Sequence, residues 1–352
     1  MPSRMKLQFR RFDLKLTRTW RIATGVGGAG TNDYGIVLVE LADDQGHSGI
    51  GEAASTGRYG QPVEVIEAFL KKVDANRLSF DDLPGSMKYL DTIDAGNDAA
   101  KCAVNIALLD AIAKAAQQPI YDYLKLGFTE KKHLTSFSIG IDTPDVIREK
   151  VREADRYPVL KLKVGSPDDK ANFAALREAA PNKPVRVDAN EAWKTKEEAL
   201  RNIEWLHYHG NIEFIEQPMP ATASRADMVW LKERSPMPIF GDESYHHASD
   251  IDLAAECFHG VNVKLVKTGG ISGAYDALQA ARKRGLKTMI GCMIESSVLI
   301  TAAAHLAELT DHLDIDGNIL ISNDPYVGCT AEKGIISFAS APEKFGLRVK
   351  AR

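Results

Sequence analysis

The chain has 352 residues, with 44 Lys and Arg against 48 Asp and Glu, a formal net charge of −4 at pH 7, and 44% hydrophobic residues. This apolar content can bury a core, which excludes a disordered chain, and the near-balanced charge predicts no binding of nucleic acid or of an anionic membrane. The four cysteines form no C-x-x-C pair, which argues against a disulfide framework or a thiolate zinc site and favours a reduced, cytoplasmic protein. No stretch approaches ~18 uninterrupted apolar residues, and the basic N-terminal segment is not followed by an apolar one, so neither a membrane span nor an export signal is expected.

The first part of the chain reads as a mixture of strands and helices. Three segments have the pattern of strands in a small antiparallel sheet. Apolar and polar residues alternate along residues 6–15 and 34–41, as in half-exposed strands, and residues 48–52 form a short segment after a turn. Residues 63–73 and 97–116 carry apolar side chains at helical spacing. This part is therefore predicted to be an α+β unit.

From residue 135 onward, short strands alternate with amphipathic helices such as 169–180 and 196–207. The predicted strands are 159–163, 185–188, 214–216, 239–242, 261–264, 288–292 and 312–316. Alternation on this scale predicts parallel strands with right-handed crossovers, and the fold class is α/β.

Five successive predicted strands each end in a charged residue, and these residues are Lys163, Asp188, Glu216, Asp242 and Lys264. In a (β/α) barrel the C-terminal ends of all strands open on one face, so the five side chains are expected to meet around one pocket. Three converging carboxylates would repel one another, and a hard divalent cation such as Mg²⁺ relieves that repulsion. No His or Cys lies at these strand ends, which makes zinc a poorer match.

A second lysine, Lys161, lies two residues before Lys163, so both side chains should face the same pocket. Two ammonium groups so close disfavour each other's charge, and the pKa of at least one is expected to fall. A neutral amine produced in this way can accept a proton, so the pair is predicted to take part in proton transfer.

Seven segments together carry a family resemblance. They are LKLKVG (160–165), VDAN (187–190), FIEQP (214–218), GDES (241–244), NVKLVKTGG (262–270), GCMIESS (291–297) and LDIDG (313–317). In this order they resemble the muconate-lactonising subgroup of the enolase superfamily, and within it the dipeptide epimerases. The resemblance implies a modified (β/α)₇β barrel at residues 126–329 and an α+β capping domain at residues 1–125, to which residues 330–352 are expected to return.

The resemblance also implies roles for individual residues. Asp188, Glu216 and Asp242 would ligate one Mg²⁺ per subunit, and Lys163 and Lys264 would stand on opposite faces of the substrate α-carbon. Lys161 would hold the substrate carboxylate and tune Lys163. The D-x-D pair, Asp314 and Asp316, would bind the α-ammonium group of a dipeptide, and two residues on one strand can present both carboxylates to one cation. Supporting positions around these groups are assigned to Asn190 and Glu295.

The glycine-rich segment 25–30, GVGGAG, has the literal spacing of a dinucleotide-binding loop but leads into a strand-like alternation instead of a helix. By resemblance it is instead a lid over the substrate. Arg21, Gly25 and Met293 are assigned as substrate contacts, with Arg21 and Arg58 the nearest candidates to pair with a carboxylate on the substrate side chain. Lys267 is expected to lie past the end of its strand, away from the site.

The function predicted from these residues is a Mg²⁺-dependent dipeptide epimerase, an isomerase that inverts the α-carbon of the C-terminal residue by two-base 1,1-proton transfer through an enediolate. Alternatives with the same lysines and metal are an N-acylamino-acid racemase, an o-succinylbenzoate synthase and a cycloisomerase, none of which needs the D-x-D pair. A metal-free Schiff-base aldolase uses a lysine nucleophile but leaves the three carboxylates unexplained. The sequence leaves open which dipeptide is bound, which lysine serves which epimer, and whether the chain forms a homo-oligomer.

Overall fold

The computed structural model describes residues 4–23 and 30–352. Its first three strands, β1 (Met5–Trp20), β2 (Thr31–Asp43) and β3 (Ser48–Ala54), form an antiparallel sheet in the order β1-β2-β3. Exposed and less exposed residues alternate along much of β1, as expected for a strand with only one face against a core. All three predicted strands are confirmed, and each extends beyond its predicted bounds.

The helices that follow are α1 (Val63–Leu70), α2 (Leu83–Ile93), α3 (Asp98–Ala115) and α4 (Ile120–Tyr123). Helix α3 is buried along almost its whole length and lies directly on β3. Glycines make this close approach possible, because a Cβ atom at Gly49 or Gly51 would lie 1.9 Å from the carbonyl oxygens of Ala107 or Ala103. The backbone of β3 therefore touches the backbone of α3 with no side chain between them.

Eight parallel strands form a second sheet in simple sequential order. They are β4 (Phe137–Ile139), β5 (Leu160–Lys163), β6 (Val185–Asp188), β7 (Ile212–Glu216), β8 (Ile239–Gly241), β9 (Gly260–Lys264), β10 (Lys287–Gly291) and β11 (His312–Asp314). A parallel bridge between Thr135 and Leu313 joins the two ends of the sheet, so the strands close into a barrel. The short strand β4 was not among the predicted strands.

Helices alternate with the barrel strands and cover them. They are α5 (Pro144–Glu153), α6 (Asp169–Ala179), α7 (Lys196–His209), α8 (Arg225–Arg234), α9 (Ile251–Cys257), α10 (Leu265–Thr268), α11 (Ile271–Lys283) and α12 (Ser297–Ala304). The last strand has no covering helix after it, so the arrangement is a (β/α)₇β barrel with an N-terminal α+β cap, as predicted. No helix in the described ranges is long and apolar enough to cross a membrane.

The C-terminal segment forms two small strand pairs, β12 (Tyr326–Val327) with β15 (Lys350–Ala351) and β13 (Thr330–Glu332) with β14 (Ile335–Ser337). Its contacts reach back to the cap, where the backbone N–H of Leu347 donates to Asp110 of α3 at 2.7 Å. The same segment also meets the barrel, where the imidazole of His305 contacts the carbonyl of Leu347 at 3.1 Å. The segment thus packs against both parts of the chain.

Candidate active site

The charged residues at the strand ends form the floor of one site at the mouth of the barrel. Lys163, Asp188, Glu216 and Lys264 are the last residues of β5, β6, β7 and β9, and Asp242 directly follows β8. All five are buried, and the three carboxylates have no exposed surface. Parallel strands place their C-terminal ends on one face, which is why residues far apart in the sequence meet here.

Lys163 and Lys264 lie on opposite sides of this mouth. Strands β5 and β9 are separated by β6, β7 and β8 in an eight-stranded barrel. Both lysines line a cavity of about 760 Å³. A molecule in this cavity is therefore accessible to an amine from either side.

Lys161 lies beneath the cavity and contacts three acids. Its Nζ is 2.6 Å from Asp314 Oδ2, 2.7 Å from Glu216 Oε2 and 3.1 Å from Asp188 Oδ2. Burial lowers the pKa of Lys161, but the three carboxylates outweigh burial and raise it well above its ordinary value. The prediction was that the pKa of at least one of Lys161 and Lys163 falls, and the pKa of Lys161 rises instead, because three negative charges outweigh one positive charge.

The acids on the floor differ in their protonation tendencies. Burial raises the pKa of Asp188, but Lys163 at 2.6 Å and Lys161 reverse the effect and lower the pKa to about 2. Burial and the negative charge of Asp188 raise the pKa of Glu216 to about 7. The pKa of Asp242 is held well below its ordinary value, because Lys264 and Lys267 overcome the effect of burial.

Lys267 belongs to this floor although the sequence reading set it aside. It lies on α10, past the end of β9 as expected, but its side chain is fully buried. Its Nζ donates to Asp242 Oδ1 at 2.6 Å and to the backbone carbonyls of Asp242, Tyr245 and Asn262 at 2.5, 2.9 and 3.1 Å. The three-residue spacing from Lys264 to Lys267 is the sequence signal that could have revealed it, because one helical turn brings both ammonium groups to Asp242.

The D-x-D pair lies at the seam where the barrel closes. Asp314 accepts from the hydroxyl of Ser136 at 2.6 Å, and Asp316 accepts from the backbone N–H of Ser138 at 2.6 Å. Both acids line the cavity. The prediction that both lie on one strand is wrong, because β11 ends at Asp314 and Asp316 begins the following turn. Burial and the charge of Asp314 raise the pKa of Asp316 to about 7.

The supporting residues differ in their contacts. The backbone N–H of Asn190 donates to Asp188 Oδ1 at 2.9 Å, and its side-chain amide donates to Glu243 at 3.3 Å. Glu295 accepts from the backbone N–H of Met293 at 2.9 Å, and burial raises its pKa to about 7. Glu243, which the sequence reading passed over, lines the cavity, and burial followed by the charge of Asp242 raises its pKa to about 8.

The cap forms the opposite wall of the cavity with Trp20, Arg21, Tyr34 and the loop from Ser55 to Tyr59, and Met293 lines the cavity from the barrel side. Arg21 lies 3.5 Å from Asp142. Gly25 and most of the GVGGAG segment lie outside the described residues.

Arg58 is held by a bidentate ion pair with Glu191, with both N–O distances 2.7 Å. Glu191 is buried in the loop after β6, so this pair fastens the cap loop to the barrel.

The donor set suits a hard divalent cation. Asp188, Glu216 and Asp242 supply only oxygen ligands, and Oε2 of Glu216 lacks a hydrogen bond despite its 2.7 Å approach to Lys161. In residues 4–23 and 30–352 no three Asp, Glu, His or Cys side chains are gathered closely enough to hold a metal ion. The lysine ammonium groups lie against these carboxylates instead.

The sequence matches two family models and resembles characterised epimerases. Residues 13–125 match the sequence model described as the mandelate racemase / muconate lactonizing enzyme N-terminal domain, and residues 146–336 match the one described as enolase C-terminal domain-like. The chain is 62% identical to the L-Ala-D/L-amino acid epimerase of Pedosphaera parvula over 99% of its own length and 100% of the relative.

Two solved structures are similar along the whole chain. The L-Ala-D/L-Glu epimerase from Bacillus subtilis, solved as a substrate-liganded complex, has a TM-score of 0.90 and 26% identity, covering 100% of this chain and 99% of that one. The dipeptide epimerase from Enterococcus faecalis V583, solved with Mg and the dipeptide L-Leu-L-Tyr, has a TM-score of 0.88 and 29% identity, covering 99% of this chain and 100% of that one.

Proposed function

The chain belongs to the mandelate racemase / muconate lactonizing enzyme family and is an isomerase of the racemase and epimerase type, and from this premise we propose that it is a Mg²⁺-dependent dipeptide epimerase. The observation that carries the proposal is the placement of Lys163 and Lys264 on opposite sides of one cavity, above buried carboxylates and beside Asp314 and Asp316. The relatives named as epimerases support it.

Lys163 and Lys264 are proposed as the two bases. In one direction a neutral amine removes the α-proton of the C-terminal residue, and the opposite ammonium group returns a proton to the other face of the resulting enediolate. The net change is inversion at one carbon with no other bond altered. Because the two lysines come from opposite sides of the barrel, each can reach only one face of a substrate held between them.

Asp188, Glu216 and Asp242 would hold Mg²⁺, since their oxygen donors suit that ion and Lys267 keeps Asp242 ionised and in place. When bound, the ion supplies positive charge that stabilises the negative charge developing on the substrate carboxylate. Lys161 adds positive charge from beneath the cavity. These groups together would favour loss of the α-proton by stabilising the enediolate.

Asp314 and Asp316 are proposed to bind the α-ammonium group of the dipeptide. Both carboxylates line the cavity, and hydrogen bonds from Ser136 and Ser138 hold them in place. Oδ1 of Asp316 has only a 4.0 Å contact with Cys292 Sγ and can accept from an ammonium ligand, while Asp314, which Lys161 already contacts, supplies a second negative charge. This site is the feature that favours a dipeptide over the N-acylated or cyclic substrates of the alternative functions.

The test is epimerisation and α-proton exchange of a set of L-Ala-L-Xaa dipeptides in D₂O with Mg²⁺, followed by NMR, for the wild type and for Lys163→Ala and Lys264→Ala. Each variant is expected to lose epimerisation, because one face of the α-carbon then has no proton donor or acceptor. Lys344→Ala, an exposed lysine in the C-terminal segment, is the matched control and should behave as the wild type. Wild-type epimerisation by either site variant would refute the two-base assignment.

A further inference from the structure

The charges around the cavity determine which substrate side chains it accepts. Among described residues, the basic side chains lining the cavity are Arg21, Arg58, Lys163 and Lys264, and the acidic ones are Asp33, Glu243, Asp314 and Asp316. A dipeptide must match this set of charges, and the question is which of them face its variable side chain.

Each of the four basic groups already has a carboxylate partner. Lys163 and Lys264 pair with the floor acids at 2.6 and 2.7 Å. Arg58 donates from Nε and Nη2 to the two carboxylate oxygens of buried Glu191, and Arg21 lies 3.5 Å from Asp142. An acidic substrate side chain would have to compete with these existing ion pairs, and this competition reduces the favourable binding free energy that a new ion pair with the substrate could contribute.

Asp33 differs from the other charged groups that line the cavity. Its carboxylate makes no hydrogen bond or ion pair within residues 4–23 and 30–352. It lies near the start of β2, next to Tyr34, whose hydroxyl donates to the carbonyl of Ser55 at 2.5 Å in the cap wall. Asp33 is exposed and lies opposite Lys15 of β1 in the strand ladder, but no ion pair joins the two side chains, so among the described residues the Asp33 carboxylate has no partner at the cap wall.

The proposed reaction decides which part of the substrate faces this wall. With the α-carbon between Lys163 and Lys264, the α-carboxylate points to the floor acids and the amide leads toward Asp314 and Asp316. The remaining substituent, the side chain of the epimerised residue, then points away from the floor and toward the cap. Resting on the proposed function, this places the side chain at the cap wall, to which Asp33 contributes.

We propose that the substrates are dipeptides whose epimerised residue has an uncharged or basic side chain, and that Asp33 discriminates against acidic side chains. The negative charge of Asp33 repels a carboxylate in the cavity, and the exposure of Asp33 means that solvent screens part of this repulsion. Neutral side chains of the same shape meet no such penalty. Asp33 thus acts on specificity and takes no part in the proton transfer.

The isosteric pair L-Ala-L-Gln and L-Ala-L-Glu isolates charge from shape, and L-Ala-L-Lys adds the opposite charge. For the wild type, kcat/KM for α-proton exchange in D₂O is expected to be about fivefold higher with the Gln dipeptide than with the Glu dipeptide, and no lower with the Lys dipeptide than with the Glu dipeptide. Asp33→Asn and Asp33→Ser should bring the Gln/Glu ratio toward one. Asp44→Asn, an exposed aspartate in the turn between β2 and β3, should leave the ratio at the wild-type value.

Equal rates with the Gln and Glu dipeptides in the wild type, or a ratio that both Asp33 variants leave unchanged, would overturn this inference while the epimerase function stands. Absence of exchange with every dipeptide would instead refute the proposed function and, with it, the inference that rests on it. A parallel fall in the rates for all three dipeptides in both Asp33 variants would show a general effect on the cap and would also overturn the specificity role.

Discussion

Replacing Lys267 with methionine removes an ammonium group while nearly preserving the length of the side chain. In the wild type that group donates to one carboxylate oxygen and three backbone carbonyls within 3.1 Å, in a position with no solvent exposure. Methionine can donate to none of these acceptors, and water cannot easily reach them. The variant therefore leaves Asp242 and several carbonyls with fewer partners in a buried environment.

The magnitude follows from the cost of breaking a buried ion pair by removing one partner, which is about 3–5 kcal/mol. For a chain of 352 residues the unfolding entropy is about 0.7 kcal/mol per kelvin, so this loss lowers Tm by about 4–7 °C. Lys264→Met is the matched comparison, because Lys264 also contacts Asp242 but has that one acceptor, at 2.7 Å, and lines the cavity. Its loss of stability should be clearly smaller.

The two variants should also separate in activity. Lys264→Met is expected to abolish epimerisation, whereas Lys267→Met should keep measurable epimerisation, because the Lys267 ammonium group lies beneath Asp242 and does not line the cavity. Differential scanning fluorimetry and α-proton exchange in D₂O measure the two effects on the same samples. A Tm of Lys267→Met equal to that of the wild type, or a larger loss in Lys264→Met, would refute the reasoning.

Two further predictions concern stability outside the site. Burial lowers the pKa of His305 to about 3, and its ring accepts from the backbone N–H of Tyr121 and contacts the carbonyl of Leu347. In the folded protein the ring therefore stays neutral at pH 5, whereas a histidine in the unfolded chain gains a proton below about pH 6.5. The contribution of this group to the free energy of unfolding is fully present above pH 6.5 and decreases as the pH is lowered, by about 2 kcal/mol at pH 5. In urea titrations, His305→Asn should therefore lose about 2 kcal/mol less unfolding free energy between pH 7.5 and pH 5 than the wild type loses. The same pH dependence in both proteins would contradict the prediction. Gly51→Ala would force a Cβ against the carbonyl of Ala103 and should lower Tm by several degrees. The control variant Gly96→Ala, where only one atom lies within 4 Å of the added Cβ, should leave Tm unchanged. Equal Tm values for the two variants would show that α3 can shift to make room for the Cβ.

Much of the fold was predictable because its signals are local. Strands that end in charged residues one βα unit apart can be recognised from a few neighbouring residues, and the seven barrel strands that were predicted are all present. Strand β4 was missed because its three residues lead to no charged residue, whereas the equally short β8 is followed by Asp242 and β11 ends in Asp314. Asp316 was misplaced by the same limit, since alternation does not show where a short strand stops.

The contacts between side chains at the site depended on packing between distant segments. Arg58 was a candidate substrate contact until its partner, Glu191, was found 133 residues along the chain. The pKa of Lys161 is raised because Glu216 and Asp314 lie beside it, and these acids come from strands that local sequence patterns cannot place there. Such pairings depend on how the barrel closes.

The sequence by itself determined the barrel, its cap and the charged residues at the strand ends, because side-chain periodicity and strand-end position depend only on neighbouring residues. Only the tertiary structure decided which lysine meets which carboxylate, that Lys267 is buried beneath Asp242, and that Asp33 faces the cavity without a partner among described residues. The physical reason is that charge–charge energies depend on distance and burial, and both are set by contacts between residues remote in the chain.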